Sequence, residues 1–81
     1  MKWTYQIQGL QVLVEFSDSG TRSSQIYGYL DALVMVGENR LRRDRESVAG
    51  VSMDDIEVKA AKWAKRLAKQ VKETGGDFTP Y

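Results

Sequence analysis

The chain has 81 residues and a mass of 9.2 kDa, which is enough for one small domain with one hydrophobic core. Hydrophobic residues make up 42% and charged residues 28%, a composition typical of a folded domain and not of a disordered segment. The absence of Cys and His excludes disulfides, thiol nucleophiles, the usual zinc sites and the commonest general base. We therefore predict no catalytic residue, no metal ligand and no cofactor.

Localisation is predicted from the apolar runs of the chain and from its first residues. No apolar run approaches the roughly 20 residues that a membrane span needs. Alternating residues follow Met1-Lys2 where a signal peptide would carry an apolar stretch. These patterns predict a cytoplasmic protein without a membrane partner.

The first strands are predicted by a strict alternation of apolar and polar side chains up to Phe16. A two-residue turn at Gln8-Gly9 would place only apolar residues opposite one another, and a slip by one residue would break every pair. The predicted hairpin therefore has a defined register, with the pairs Met1/Phe16, Trp3/Val14, Tyr5/Val12 and Ile7/Leu10.

The middle of the chain is harder to interpret. Residues 17–24 are polar and predict a connecting loop. Residues 25–36 fit a helix by the spacing of Ile26, Leu30 and Leu33, but their Tyr, Val and internal Gly content favours a strand. A helix would leave residues 38–51 as an unusually long structureless connection, so we predict a strand. A turn at residues 37–39 and a polar edge strand over residues 40–47 then follow.

The C-terminal third predicts one long helix. Ser52 and Asp55 form a start signal that resembles a capping box, and Gly75-Gly76 form a stop signal. Between them, from about Met53 to Thr74, an apolar stripe faces one side; it comprises Ile56, Ala60, Trp63, Ala64, Leu67 and Val71. We predict a single α+β domain over residues 1–76, with a four-stranded antiparallel sheet, one long helix on one face, and a flexible tail at residues 77–81.

The predicted helix has a basic face opposite this stripe, which we call the basic ridge: Lys59, Lys62, Lys65, Arg66, Lys69 and Lys72. A second basic cluster lies on the predicted fourth strand: Arg40, Arg42, Arg43 and Arg45. These cations fit a track for phosphates or an acidic protein surface. They equally fit a solvated helix face whose late cations complement the helix dipole.

The predicted third strand is apolar on both sides. If Ile26, Leu30 and Val34 face the helix, the opposite side carries Tyr27, Tyr29, Leu33 and Met35, with Arg42 and Asp44 beside Met35 and Leu33. Exposed Tyr and Met residues on an uncovered sheet face are typical of interfaces. The alternatives are that this segment is a helix, that the loop or the C-terminal tail covers this side, or that a homodimer does.

The segments Val34-Met35-Val36-Gly37, Gly50-Val51-Ser52 and Ala60-Ala61 with Ala64 resemble the second half of double-stranded-RNA-binding domains. The same region, about 31 residues long, is similar to the three-strand-plus-helix arm-binding domains of phage integrases. Both resemblances imply nucleic-acid contact, here through the basic ridge or the Arg-rich strand. In size and composition the chain also resembles the small inhibitors that phages make against host defence systems, anti-CRISPR proteins among them.

The expected function is that of a non-enzymatic module that recognises a protein or nucleoprotein partner, with phage-type inhibition of a host defence complex as one form of it. Asp54 and Asp55 point about 100° apart on a helix, so they cannot flank one bond, and the serines lack an activating base. Direct nucleic-acid binding is the alternative. The predicted anchors are Tyr27, Tyr29 and Met35, and the predicted steering cations are Arg40, Arg42, Lys62, Lys65, Arg66 and Lys69.

Overall fold

A computed structural model describes residues 1–73 and confirms the α+β class, with a four-stranded antiparallel sheet and one C-terminal helix. The strands lie in chain order across the sheet. They are β1 (Lys2–Ile7), β2 (Leu10–Arg22), β3 (Gln25–Val36) and β4 (Asn39–Gly50), followed by α1 (Met53–Glu73). The expected helix end at Thr74, the stop at Gly75-Gly76 and the tail at residues 77–81 lie outside the described residues.

The hairpin of β1 and β2 has the predicted register, with Ile7 opposite Leu10 and Trp3 opposite Val14. The Phe16 amide donates a hydrogen bond of 2.8 Å to the Met1 carbonyl, so this pairing reaches the first residue. Gln8 has a φ of 51° and Gly9 a φ of 83°. Positive φ at both central residues is the geometry of a two-residue turn whose twist matches the strands.

The predicted loop at residues 17–24 is wrong, because β2 continues to Arg22 and β3 begins at Gln25. Only Ser23 and Ser24 form the turn, with φ values of 51° and 64°. The register shifts between Asp18 and Gly20, which is a β-bulge at Ser19. This end of β2 is exposed, so polar side chains suit it, and the backbone pairing with β3 holds it without an apolar pattern.

The strand predicted over residues 25–36 is confirmed as β3, and β4 is the polar edge strand expected after the turn. The register of the two strands shifts near Val34, because Leu41 is an extra residue in β4 and packs against the core. Arg42 therefore pairs with Val34 on the helix side of the sheet, 29% of its side chain exposed. The expectation that Arg42 and Asp44 lie on the other side is wrong, because it assumed a regular ladder.

The helix begins where the sequence predicts. The Asp55 amide donates to the Ser52 hydroxyl at 3.2 Å, and the Asp55 carboxylate accepts the Val51 amide at 3.1 Å. The predicted stripe is buried against the sheet together with Ala68. Ala60, Ala64 and Ala68 have small side chains, which lets the helix lie close to the strands, so the core forms one layer between them. This layer consists of the helix stripe with Ala68 and, from the sheet, of Leu10, Val12, Val14, Phe16, Leu30, Ala32 and Val34.

Tyr5 packs against the core and carries a buried polar group. Its buried hydroxyl has no hydrogen-bond partner in the described part of the chain. Burial raises the pKa of Tyr5 above 10.0, and the Glu57 carboxylate raises it further. The unfolded chain thus loses this proton first, so the free energy of unfolding does not depend on this group below about pH 10 and decreases as the pH rises toward the folded pKa.

We expect Tyr5→Phe to increase the free energy of unfolding by about 1 kcal/mol at pH 7, because the variant removes an unsatisfied buried group. The variant should also lose less stability than the wild type above about pH 10. Urea denaturation of both proteins at neutral and alkaline pH measures the two effects. A hydroxyl that contributes to stability would give the opposite sign at pH 7.

Candidate partner-binding surfaces

The sheet has one face that α1 does not cover, which we call the outer face. Residues that pair across the strands share a face, so the register defines it. No residue of the described range 1–73 packs over it as α1 packs over the other face. Its side chains are Lys2, Thr4 and Gln6 on β1; Gln11, Leu13, Glu15, Ser17 and Arg22 on β2; Gln25, Tyr27, Tyr29, Asp31, Leu33 and Met35 on β3; and Arg40, Arg43, Arg45, Ser47 and Ala49 on β4.

One end of the outer face is a hollow of about 640 Å³ around Tyr27 and Tyr29. The two rings are flanked on both neighbouring strands by residues with small side chains, which leaves space on either side of the rings. These residues are Ser19, Gly20, Ser47 and Ala49. The bulge at Ser19 shapes this end, where the Gly20 amide donates to Asp18 Oδ1 at 2.8 Å. Tyr27 and Tyr29 are 38% and 42% exposed.

Arg45 contacts both Tyr29 and Asp31. The guanidinium carbon of Arg45 lies 4.6 Å from the centre of the Tyr29 ring, and Arg45 Nε lies 3.3 Å from Asp31 Oδ1. The cation–π contact and the ion pair favour this arrangement of both side chains in the absence of a partner, each by up to about 1 kcal/mol at an exposed site. Arg45 therefore belongs to the candidate site, although the sequence pattern predicted it only as a member of the basic cluster on the fourth strand and not as a partner-binding residue.

The other end of the outer face is aliphatic. Leu13 and Leu33 lie in a second hollow of about 350 Å³, and Leu33 and Met35 are half-buried between neighbouring strands. Lys2 and Glu15 form an exposed ion pair of 3.6 Å at its border. The outer face thus combines an aromatic end and an aliphatic end on a single strand, β3.

The basic ridge lies on the opposite side of the molecule, since it is the solvent side of α1. Three of its cations have partners: Lys59 contacts Asp55 and the Ala49 carbonyl, Arg66 lies 3.3 Å from Glu46, and Lys69 lies 4.0 Å from Glu73. Lys62, Lys65 and Lys72 have no acidic partner within residues 1–73.

The predicted site residues therefore fall into separate groups. Tyr27, Tyr29, Met35 and Arg40 share the outer face. The helix cations Lys62, Lys65, Arg66 and Lys69 lie on the reverse side, with the thickness of the domain between. Arg42 lies on the helix side of the sheet and pairs with Asp44 at 3.3 Å. A single flat partner surface cannot contact the first two groups together.

Arg22 lines the hollow at the end of β2, and neither could be predicted while residues 17–24 were expected to form a loop. The signal that could have found them is Gly28, which stands inside an apolar strand. A Gly in a strand interior marks a bulge or a close backbone approach. Both features occur here, as Gly28 pairs with Asp18 next to the bulge.

Comparisons with protein-family models, with curated proteins and with solved structures each give no match. Within residues 1–73 there is no cluster of three or more Asp, Glu, Cys or His side chains that could bind a metal ion. The one described helix falls short of the apolar length that crossing a membrane requires.

Proposed function

We infer that this protein is a non-enzymatic binding module that recognises a protein partner through the outer face of its sheet. The observation that carries this proposal is the hollow around Tyr27 and Tyr29, with Arg45 already stacked on Tyr29. Tyr and Arg dominate the binding energy of protein interfaces, particularly where they fill or border a pocket. Restricting them before binding lowers the entropy lost on association.

The wider setting of this proposal follows from the sequence. A chain without His and Cys lacks the usual groups for general-base and thiol chemistry, so binding is the simpler role. The proposal places the protein in the cytoplasm, where a domain without disulfides is ordinary. Inhibition of a host defence complex remains a prediction drawn from size and composition.

The proposal is tested by affinity capture from lysates of the source cells, with and without nuclease treatment. We expect a protein partner whose recovery survives nuclease and falls at least tenfold with Tyr27→Ala/Tyr29→Ala, because truncating two central aromatic anchors typically costs about 2 kcal/mol or more. The matched control is Lys62→Ala/Lys65→Ala on the reverse side, which should leave recovery unchanged. Equal recovery by wild type and the tyrosine variant would contradict the proposal.

Nucleic-acid binding by the basic ridge is the second candidate function. The observation that favours it is that Lys62, Lys65 and Lys72 are exposed without acidic partners in the described range, and that Lys62 borders a groove of about 360 Å³ between α1 and β4. In this case recovery would be nuclease-sensitive and abolished by Lys62→Glu/Lys65→Glu/Lys69→Glu. Six phosphate contacts would also make the logarithm of the binding constant fall with the logarithm of the salt concentration, with a slope of about −5.

A further inference from the structure

The outer face has an excess of positive charge. It carries five cations, Lys2, Arg22, Arg40, Arg43 and Arg45, against the two carboxylates of Glu15 and Asp31. Both carboxylates already form ion pairs with cations of the same face, Glu15 with Lys2 and Asp31 with Arg45. Arg22 and Arg40 have no acidic partner within residues 1–73. A partner that supplies carboxylates would therefore complement this face.

Three of the five cations, Arg40, Arg43 and Arg45, lie in a row along β4, parallel to the apolar side chains of β3. Lys2 lies on β1, and Arg22 lies on β2, where it lines the hollow. Along β3 run Tyr27, Tyr29, Leu33 and Met35, interrupted by Asp31, which is already paired with Arg45 of β4. Along β4, Arg43 stands beside Leu33 and Arg40 beside Met35. Alternate residues of a strand are about 7 Å apart, so each row offers contacts at the spacing of alternate side chains in an extended chain. An extended segment lying along β3 could place apolar side chains on one row and acidic ones on the other.

We propose that the partner of the outer face presents an extended acidic protein segment, whose carboxylates bind the arginines and whose apolar side chains pack on β3. This inference rests on the proposed function, since it names the chemistry of the partner for that same face. Arginine suits the role because its planar guanidinium binds a carboxylate through two parallel hydrogen bonds. The hollow at Tyr27 and Tyr29 accepts one large apolar side chain of the segment.

The same charges and contacts disfavour the other occupants. A second copy of the chain would bring two positively charged faces together. A single-stranded nucleic acid stacks successive bases on several free rings, but the described part of this face has two rings, Tyr27 and Tyr29. The Arg45 guanidinium already covers one side of Tyr29, and Leu13, Leu33 and Met35 provide no ring. An acidic segment with apolar side chains uses both ends of the face.

The test is selection of peptides from a displayed random 16-residue library, about 16 residues being enough to span β3, on the immobilised full chain. We expect the recovered peptides to combine Asp or Glu with aromatic or aliphatic residues. Arg22→Glu/Arg40→Glu should weaken a selected peptide at least tenfold. The matched variant Lys62→Glu/Lys65→Glu has the same change in net charge on the reverse side and should change the affinity less than twofold. Circular dichroism verifies that both variants fold.

The outcomes separate this inference from the proposed function. Peptides that depend on Tyr27 and Tyr29 but are not acidic, or that bind both charge variants equally, overturn the acidic partner and leave protein binding intact. Peptides insensitive to Tyr27→Ala/Tyr29→Ala contradict the proposed function itself. An empty selection, tight binding of a 20-residue oligothymidylate to the outer face, or a concentration-dependent doubling of mass in light scattering also overturns the inference.

Discussion

Gly28→Ala is expected to lower the free energy of unfolding by about 1–3 kcal/mol. A Cβ atom at this position would lie 2.2 Å from the Ser17 carbonyl oxygen and 2.5 Å from Cε1 of Phe16. The first obstacle is backbone on the neighbouring strand, which cannot move without breaking the pairing of β2 with β3. The total stability of a chain of this length is about 4–12 kcal/mol, so the loss is a large part of it.

Gly50→Ala is the matched control for this prediction. Gly50 is also a buried strand glycine, but its added Cβ would meet Asp55 Oδ2 at 2.9 Å and Ile56 Cδ1 at 3.0 Å, the ends of two side chains. Both distances are longer than those at Gly28 and both atoms belong to side chains, so we expect a smaller loss than for Gly28→Ala even though a shift of Asp55 Oδ2 would weaken its hydrogen bond from the Val51 amide. Urea denaturation of the two variants measures the difference. Equal losses would show that the close approach of β2 to β3 is not the reason why Gly28→Ala lowers the free energy of unfolding.

Gly28 also connects stability with the candidate site. It lies between Tyr27 and Tyr29, and it lines the same hollow. Its missing side chain lets the Phe16 ring lie over the inner face of β3 at the point where the bulge bends β2. The spacing of β2 and β3 below the hollow therefore depends on this residue. A folded Gly28→Ala protein should bind the partner less tightly than the wild type.

Regular periodicity made the helix and the first hairpin predictable. The pairs of Trp3 with Val14 and of Ile7 with Leu10 follow from strict alternation, since only one register buries every apolar residue. The cap at Ser52 and the stripe from Ile56 to Val71 follow from helical spacing for the same reason. In both elements the burial of apolar side chains determines the local structure.

Irregularities of the sheet could not be predicted in this way. The extra residue Leu41 moves Arg42 to the helix side, and the bulge at Ser19 lets a polar segment continue as a strand. A bulge changes the face of each following side chain, yet it leaves no periodic signal of its own. The candidate site depends on these two bulges, so the sequence predicted its tyrosines but neither its hollow nor its full set of arginines.

Ile56→Ala is expected to cost about 2–5 kcal/mol of folding free energy. Ile56 is fully buried, with 0% exposure, at the point where the first turn of α1 packs on the sheet. Its Cδ1 approaches Gly50, the last residue of β4, so the side chain joins the helix start to the end of the edge strand. The cavity left by truncation would lie in a single-layer core that has few other contacts to compensate.

Val58→Ala provides the matched control on the same helix. Val58 is also β-branched but is 51% exposed, and alanine has the higher helix propensity, so its stability should change by less than about 0.5 kcal/mol. Thermal and urea denaturation compare the two variants. Because Ile56→Ala lowers the fraction of folded protein near the unfolding transition, it should also weaken partner binding at those temperatures, while Val58→Ala should not. Similar stability losses in both variants would contradict the placement of the helix, which buries Ile56 against the sheet and leaves Val58 exposed.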